Sequence, residues 1–248
     1  MFNRLSGLLP RDILAFGVVT IIVYHGLIAL LRLALFSLSK WTVSGAENIP
    51  SNAACILVSN HIHILDPPLV AASLRTRRVR TMAKQELFDL PLIGWVFSAY
   101  GAYSVRRSGR DSQALRKSLR LLDAGEALLL FAEGTRSSGG PLRPAHKGAA
   151  LIALRSGEPV IPVTITGSNI RLPGVFFQWL FGERPRINVH FGDPVDLSDL
   201  EHASKDAAEA TDRIMRRIAD SLPESLQGPY GGDRPADTNP VVAKDLEN

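Results

Sequence analysis

The residues best suited to chemistry lie in one short run, Asn60-His61-Ile62-His63-Ile64-Leu65-Asp66-Pro67-Pro68, directly after an apolar stretch at 54–59. An imidazole and a carboxylate five positions apart do not share a helix face, so a turn must bring them together. Once paired, the carboxylate fixes the imidazole tautomer and stabilises its charged form, which makes a general base. The bland alternative is a core histidine beside an aspartate that caps the helix after Pro67, and spacing by itself favours it. A second run, Phe131-Ala132-Glu133-Gly134-Thr135-Arg136-Ser137, closes another apolar stretch at 127–131. Glycine permits close backbone approach, and arginine suits phosphate through paired hydrogen bonds. Lys84 follows a third stretch at 78–83, and Arg106 and Arg107 follow a fourth at 102–105. On a mostly parallel sheet these ends converge with His61 on one rim, as a site for an anionic, hydroxyl-bearing substrate requires.

A histidine base with no nucleophile beside it suggests direct attack by a substrate hydroxyl. Ser59 and Ser137 are candidate nucleophiles, but neither stands in a G-x-S-x-G elbow, which opposes a serine hydrolase. A metal set of His61, His63, Asp66 and Glu133 would rest on H-x-H spacing alone, which is weak, and none is expected.

The elements that must position these residues read as α/β. Strands are expected at 41–44, 54–59, 78–83, 102–105, 127–131, 160–166 and 186–191, several of them nearly continuous hydrophobic runs of the kind covered on both faces. Helices are expected at 67–75, 92–100, 112–124, 147–156 and 204–222, with Asp111 as an N-cap and Gly125 as a C′ residue. The alternation predicts a mostly buried mixed or parallel sheet flanked by helices. The domain spans 41–222, and the Pro-, Gly- and Asp-rich segment 223–248 reads as a disordered tail.

Residues 1–40 read as a membrane anchor. The run 13–38 is nearly all apolar and would reach about 39 Å as a helix, enough to cross a bilayer core. His25 and Gly26 interrupt it near the middle and Arg32 sits in its second half, which favours a hairpin or an in-plane anchor in one leaflet. No small-residue cleavage site follows, which opposes a signal peptide. A hairpin would place both ends on the cytoplasmic side of the cell membrane. The aromatic run 176–181 reads equally as core packing or as a second interfacial contact.

Composition narrows the partners. The 248 residues are 46% hydrophobic with a net charge of +4. That mild excess suits a membrane surface or a phosphate-bearing substrate, not nucleic acid. Arg75, Arg77, Arg78 and Arg80 form either a solvated turn or a patch facing lipid headgroups. The one cysteine, Cys55, excludes an internal disulfide framework.

Four blocks in order make the likeness specific. Asn60, His61 and Asp66 match an N-H-x4-D motif; Gly101 to Arg107 match G-x5-R; Phe131 to Ser137 match F-P-E-G-T-R-S except at Ala132; Ile161-Pro162-Val163 matches V-P-V loosely. Residues 41–196 thereby resemble the glycerophospholipid acyltransferase family, in particular the 1-acylglycerol-3-phosphate acyltransferases. The resemblance implies that His61 deprotonates the acceptor hydroxyl and Asp66 orients His61. It implies attack on the thioester of acyl-CoA or an acyl carrier protein, with Asn60, Lys84, Arg107, Glu133, Gly134, Thr135 and Arg136 around the acceptor and its phosphate. It implies no metal or bound prosthetic group. Another lyso-lipid acceptor, such as a lyso-ornithine lipid or a lysophospholipid, would use the same motifs. A non-enzymatic lipid-binding membrane protein would not need the His61–Asp66 pair.

Overall fold

The computed structural model describes residues 10–74, 77–105, 112–169, 183–200 and 202–232. Its strands are β1 (Lys40–Ser44), β2 (Cys55–Ser59), β3 (Val79–Lys84), β4 (Tyr103–Val105), β5 (Ala127–Phe131), β6 (Val160–Thr166) and β7 (Arg186–Phe191). Its helices are α1 (Pro10–Leu38), α2 (Asp66–Ser73), α3 (Gln85–Phe88), α4 (Pro91–Tyr100), α5 (Ser112–Asp123), α6 (Gly148–Ser156) and α7 (Ala203–Asp220). Each strand read from the sequence is present, with ends shifted by at most a residue.

The strands form one mixed sheet in the order β1-β7-β6-β2-β5-β3-β4. Strands β6, β2, β5, β3 and β4 run parallel, β7 lies antiparallel to β6, and β1 follows β7. The central strands are buried on both faces, in keeping with their nearly continuous apolar runs. Alternate residues divide between two cores. Ile56, Val58, Leu128 and Leu130 pack under α5, α6 and α7 with Leu122, Ile152 and Ile214. Leu57, Leu129, Ile161 and Val163 face the other way, against Leu69 and Val70 of α2 and Leu35 of α1. Because β2, β5, β3 and β4 are parallel, their C-terminal ends share one rim. Gly125 takes a left-handed φ of 77° and returns its N–H to Leu122 O at 2.8 Å, closing α5 as the sequence suggests.

The hairpin expected near His25 is not formed: α1 runs unbroken from Pro10 to Leu38. His25 bonds Ile21 O through Nδ1 at 2.8 Å, so its polar ring is satisfied within the helix. Gly26 costs about 1 kcal/mol there, less than breaking a turn of backbone hydrogen bonds in apolar surroundings. Arg32 points into the domain, where Nε donates to Ala72 O at 2.8 Å and Nη2 to Leu74 O at 2.5 Å. These are carbonyls at the C-terminal end of α2, the end that attracts cations. Tyr24, Ile28 and Leu35 bury one face of α1, while Ile22, Leu30, Leu33 and Phe36 leave the opposite face exposed. The stretch Ile21–Leu38 is long and apolar enough to cross a membrane by length and composition. Arg32→Met keeps the stem and removes both hydrogen bonds, so it is expected to cost about 1–3 kcal/mol. Thermal unfolding in detergent checks this, and an unshifted midpoint would remove Arg32 from the docking of α1.

Two other readings change. Arg77 donates to the carbonyls of Pro50, Ala53 and Gly125, Arg80 pairs with Glu126 at 2.7 Å, and Arg78 bonds Ala99 O and lies 4.5 Å from the Tyr24 ring centroid. These arginines fasten loops and α1; they are not a headgroup patch. The tail does not begin at 223. Short 3-10 turns follow at Glu224–Leu226 and Gly228–Tyr230, and Tyr230 is buried. Leu142 N–H donates to Leu226 O at 2.9 Å and Ala145 N–H to Tyr230 Oη at 2.8 Å. One aromatic anchor orders a segment whose average composition reads as disordered. Arg75, Asp111 and the aromatics at 176–181 lie outside the described residues.

Candidate active site

The chain leaves β2 at Ser59 and turns sharply before α2. Asp66, fully buried, drives that turn. Its Oδ2 accepts the backbone N–H groups of Ile62 at 2.6 Å and His63 at 2.8 Å, and meets His61 Nδ1 at 2.9 Å. The carboxylate therefore does not cap α2; it gathers the loop around itself. With Asp66 ionised, the proton of the His61 ring resides on Nδ1 and Nε2 carries the free lone pair. The ring is 18% exposed and stacks on Phe131, centroids 4.1 Å apart. Phe131 ends β5, in register with Ser59 of the neighbouring strand. That support was invisible in the sequence, because only strand pairing brings the two together.

Two of the residues expected at the substrate are instead turned into the protein. Asn60 Nδ2 donates to Ile165 O at 2.9 Å and Oδ1 accepts Ile165 N–H at 2.8 Å, extending the β2–β6 ladder with a side chain. Glu133 is 2% exposed; Oε1 accepts His61 N–H at 2.9 Å and Oε2 accepts Arg143 N–H at 3.0 Å. Its carboxylate ties the His61 backbone to the loop braced by Tyr230. Burial pushes the Glu133 carboxyl up, and the two backbone donors pull it back. Both side chains satisfy backbone groups that leave the sheet at its rim, where the regular ladder ends.

The loop after β5 turns through Gly134, whose N–H returns to Phe131 O at 3.1 Å with φ 67°. A Cβ here would meet His146 Cδ2 at 2.9 Å, so only glycine fits. Ala132, standing where the motif carries proline, is buried, and its carbonyl accepts His146 N–H at 2.8 Å. The turn keeps its closure without proline. Ser137 N–H then donates to His61 O at 2.7 Å, which stitches this loop to the histidine. Thr135 and Arg136 stand exposed between those two ties. Lys84 ends β3 on the same rim. Arg107 lies outside the described residues. Ser59 is fully buried and donates to Asn60 O, which removes it as a nucleophile. Among the described residues no three His, Cys, Asp or Glu side chains gather as metal ligands.

The arrangement can do one thing well. It presents a basic imidazole nitrogen, its partner nitrogen fixed by a buried carboxylate, beside an exposed arginine on the rim of a parallel sheet.

The chain resembles known proteins over most of its length. A chloroplast 1-acyl-sn-glycerol-3-phosphate acyltransferase of Brassica napus is 34% identical over 70% of this chain and 52% of its own length. The enzyme of that name in Borreliella burgdorferi is 29% identical over 72% of each chain. This chain spans about half the length of the plant relatives it matches. The crystal structure of the 1-acyl-sn-glycerophosphate acyltransferase of Thermotoga maritima matches with a TM-score of 0.59 and 24% identity over 89% of this chain and 87% of that one, which shows a shared fold. The model of the family described as Acyltransferase matches residues 40–166, just over half of the chain and the segment that carries His61, Asp66, Glu133 and Arg136. The chain belongs to the acyltransferase family.

Proposed function

We propose that the protein transfers a fatty acyl group from the thioester of acyl-CoA or an acyl carrier protein to the free hydroxyl of 1-acyl-glycerol 3-phosphate, giving phosphatidic acid at the cytoplasmic face of the cell membrane. The observation that carries the reading is the His61–Asp66 pair at 2.9 Å on the sheet rim, in a family whose chemistry is acyl transfer. His61 Nε2 takes the hydroxyl proton as the oxygen attacks the thioester carbonyl. The tetrahedral intermediate collapses, the carbon–sulfur bond breaks, and the departing thiolate takes the proton from the imidazolium. Asp66 stabilises that imidazolium. Glu133 and Asn60 hold the backbone that carries His61, while Arg136, with Arg107 and Lys84, receives the acceptor phosphate. The names of the relatives support this choice of acceptor. The apolar face of α1 supports a membrane location.

The test offers labelled acyl-CoA, then acyl carrier protein thioester, with a panel of acceptors: 1-acyl-glycerol 3-phosphate, glycerol 3-phosphate, lyso-ornithine lipid and lysophosphatidylcholine. Preference for the first is expected. Preference for another overturns the acceptor assignment and leaves the His61 mechanism standing. Arg136→Ala is expected to raise the acceptor KM about tenfold or more with a smaller change in kcat, since it removes a charge-assisted phosphate contact. An unchanged KM would place the phosphate elsewhere.

A further inference from the structure

The segment after α7 lies beyond residues 40–166, the span that the family model matches, yet it is built onto the loop that holds His61. Three contacts join the two. Leu142 N–H donates to Leu226 O at 2.9 Å, and Ala145 N–H donates to Tyr230 Oη at 2.8 Å. Between them Gly228, at φ 57°, lies so close to Leu142 that a Cβ would collide with the Leu142 carbonyl. Such an approach admits only glycine. Tyr230 is 2% exposed and packs in one core with Ala132, Leu142 and Ala145. Gln227 Nε2 donates to Leu222 O at 3.0 Å, which fixes the segment on itself. Residues 222–230 thus form a strap across the loop 142–146.

That loop passes the position of the strap to the histidine. Residues 142 and 145 give their N–H groups to the strap, while 143 and 146 give theirs to the catalytic turn. Arg143 N–H donates to Glu133 Oε2 at 3.0 Å, and His146 N–H donates to Ala132 O at 2.8 Å. The other oxygen of Glu133, Oε1, receives His61 N–H at 2.9 Å. The loop is therefore a spacer between strap and turn. The turn needs such a support, because Ala132 stands where the motif carries proline and no ring fixes φ there. A shift of the loop draws on Glu133, and Glu133 draws on the backbone of His61.

We propose that Tyr230 is a positioning residue for the transfer reaction: its hydroxyl, through the 142–146 loop and Glu133, sets the place of His61 on the rim. The effect on turnover rests on the acyl-transfer reading above; the mechanical link does not. A displaced base costs rate rather than affinity, since other groups hold the acceptor phosphate.

Tyr230→Phe keeps the buried ring and removes only the hydroxyl that receives Ala145 N–H. In the full chain in nanodiscs it is expected to lower kcat about tenfold, with the acceptor KM within about twofold of native. Gly228→Ala, which forces the strap off Leu142 and keeps the hydroxyl, should act in the same direction. Gln227→Ala is the control: it removes a hydrogen bond inside the strap, not one to the loop, and kcat should stay within about twofold. Hydrogen exchange reads the link without activity. In Tyr230→Phe the amides of 61–63 and of Ser137 are expected to exchange about tenfold faster, together with those of 142–146. Faster exchange confined to 142–146 and 223–230 overturns the proposal, whatever kcat does, and leaves Tyr230 a core residue. A native kcat in Tyr230→Phe, or an equal fall in Gln227→Ala, overturns it too. If the native chain acylates nothing while the 61–63 amides still loosen in Tyr230→Phe, the functional reading fails and the link stands.

Discussion

His61→Ala is expected to lower kcat for acyl transfer by about 10²–10⁴-fold, the range a positioned general base contributes. The fold should survive. The imidazole is partly exposed, and its loss leaves Asp66 Oδ2 with two backbone donors, Ile62 and His63. His61's own backbone bonds, to Glu133 and from Ser137, do not involve the ring. The acceptor KM should move little, because the ring acts on the hydroxyl in the transition state rather than on the phosphate. Steady-state kinetics beside a thermal melt checks both halves. A kcat within a few fold of wild type, in a folded variant, would remove His61 from its role.

Asp66→Asn separates charge from architecture and should cost turnover almost as heavily, again about 10²–10⁴-fold. Oδ2 of Asp66 takes three donors, while Oδ1 has no hydrogen-bond partner among the described residues. An asparagine can therefore place its carbonyl on the same three donors and its amide nitrogen where Oδ1 was. The loop keeps its shape, but the imidazolium formed during transfer loses its counter-charge. Stability should fall by about 2–4 kcal/mol, because the neutral hydrogen bonds are weaker than the charge-assisted ones and the amide N–H groups sit where Oδ1 has no partner. Asp66→Ala should be worse for folding, since it strands the buried N–H of Ile62. Measured together, kcat and unfolding midpoint distinguish the variants. A fully active Asp66→Asn would show that the carboxylate serves only to shape the loop.

The contrast between what was legible in the sequence and what was not has physical roots. Strands β2, β5 and β6 were readable because a doubly covered strand needs a nearly continuous apolar run, and these are too short for a helix and mostly rich in branched residues. His61 and Asp66 were readable as a pair only through the motif, since spacing alone favoured a helix cap. The structure shows why the motif carries more: one carboxylate oxygen closes the loop and orients the ring together. The inward roles of Asn60 and Glu133 were not legible, because each satisfies backbone groups that only the fold brings near, Ile165 in β6 for one and the loop residues His61 and Arg143 for the other. Of the two forms the sequence allowed for the N-terminal segment, a helix or a hairpin, the unbroken helix is the one formed, because the interrupting polar side chains find partners, His25 in its own helix and Arg32 on α2. Tyr230 shows the opposite limit, where a single buried side chain outweighs a polar neighbourhood.

The most direct test of the central claim is transfer of labelled acyl groups from thioester to 1-acyl-glycerol 3-phosphate by the purified, membrane-reconstituted chain, with His61→Ala beside it at matched folded protein. The account predicts labelled phosphatidic acid from the native chain and at most about one per cent of that rate from the variant. Equal rates from both, or product from neither with any thioester donor, would contradict it.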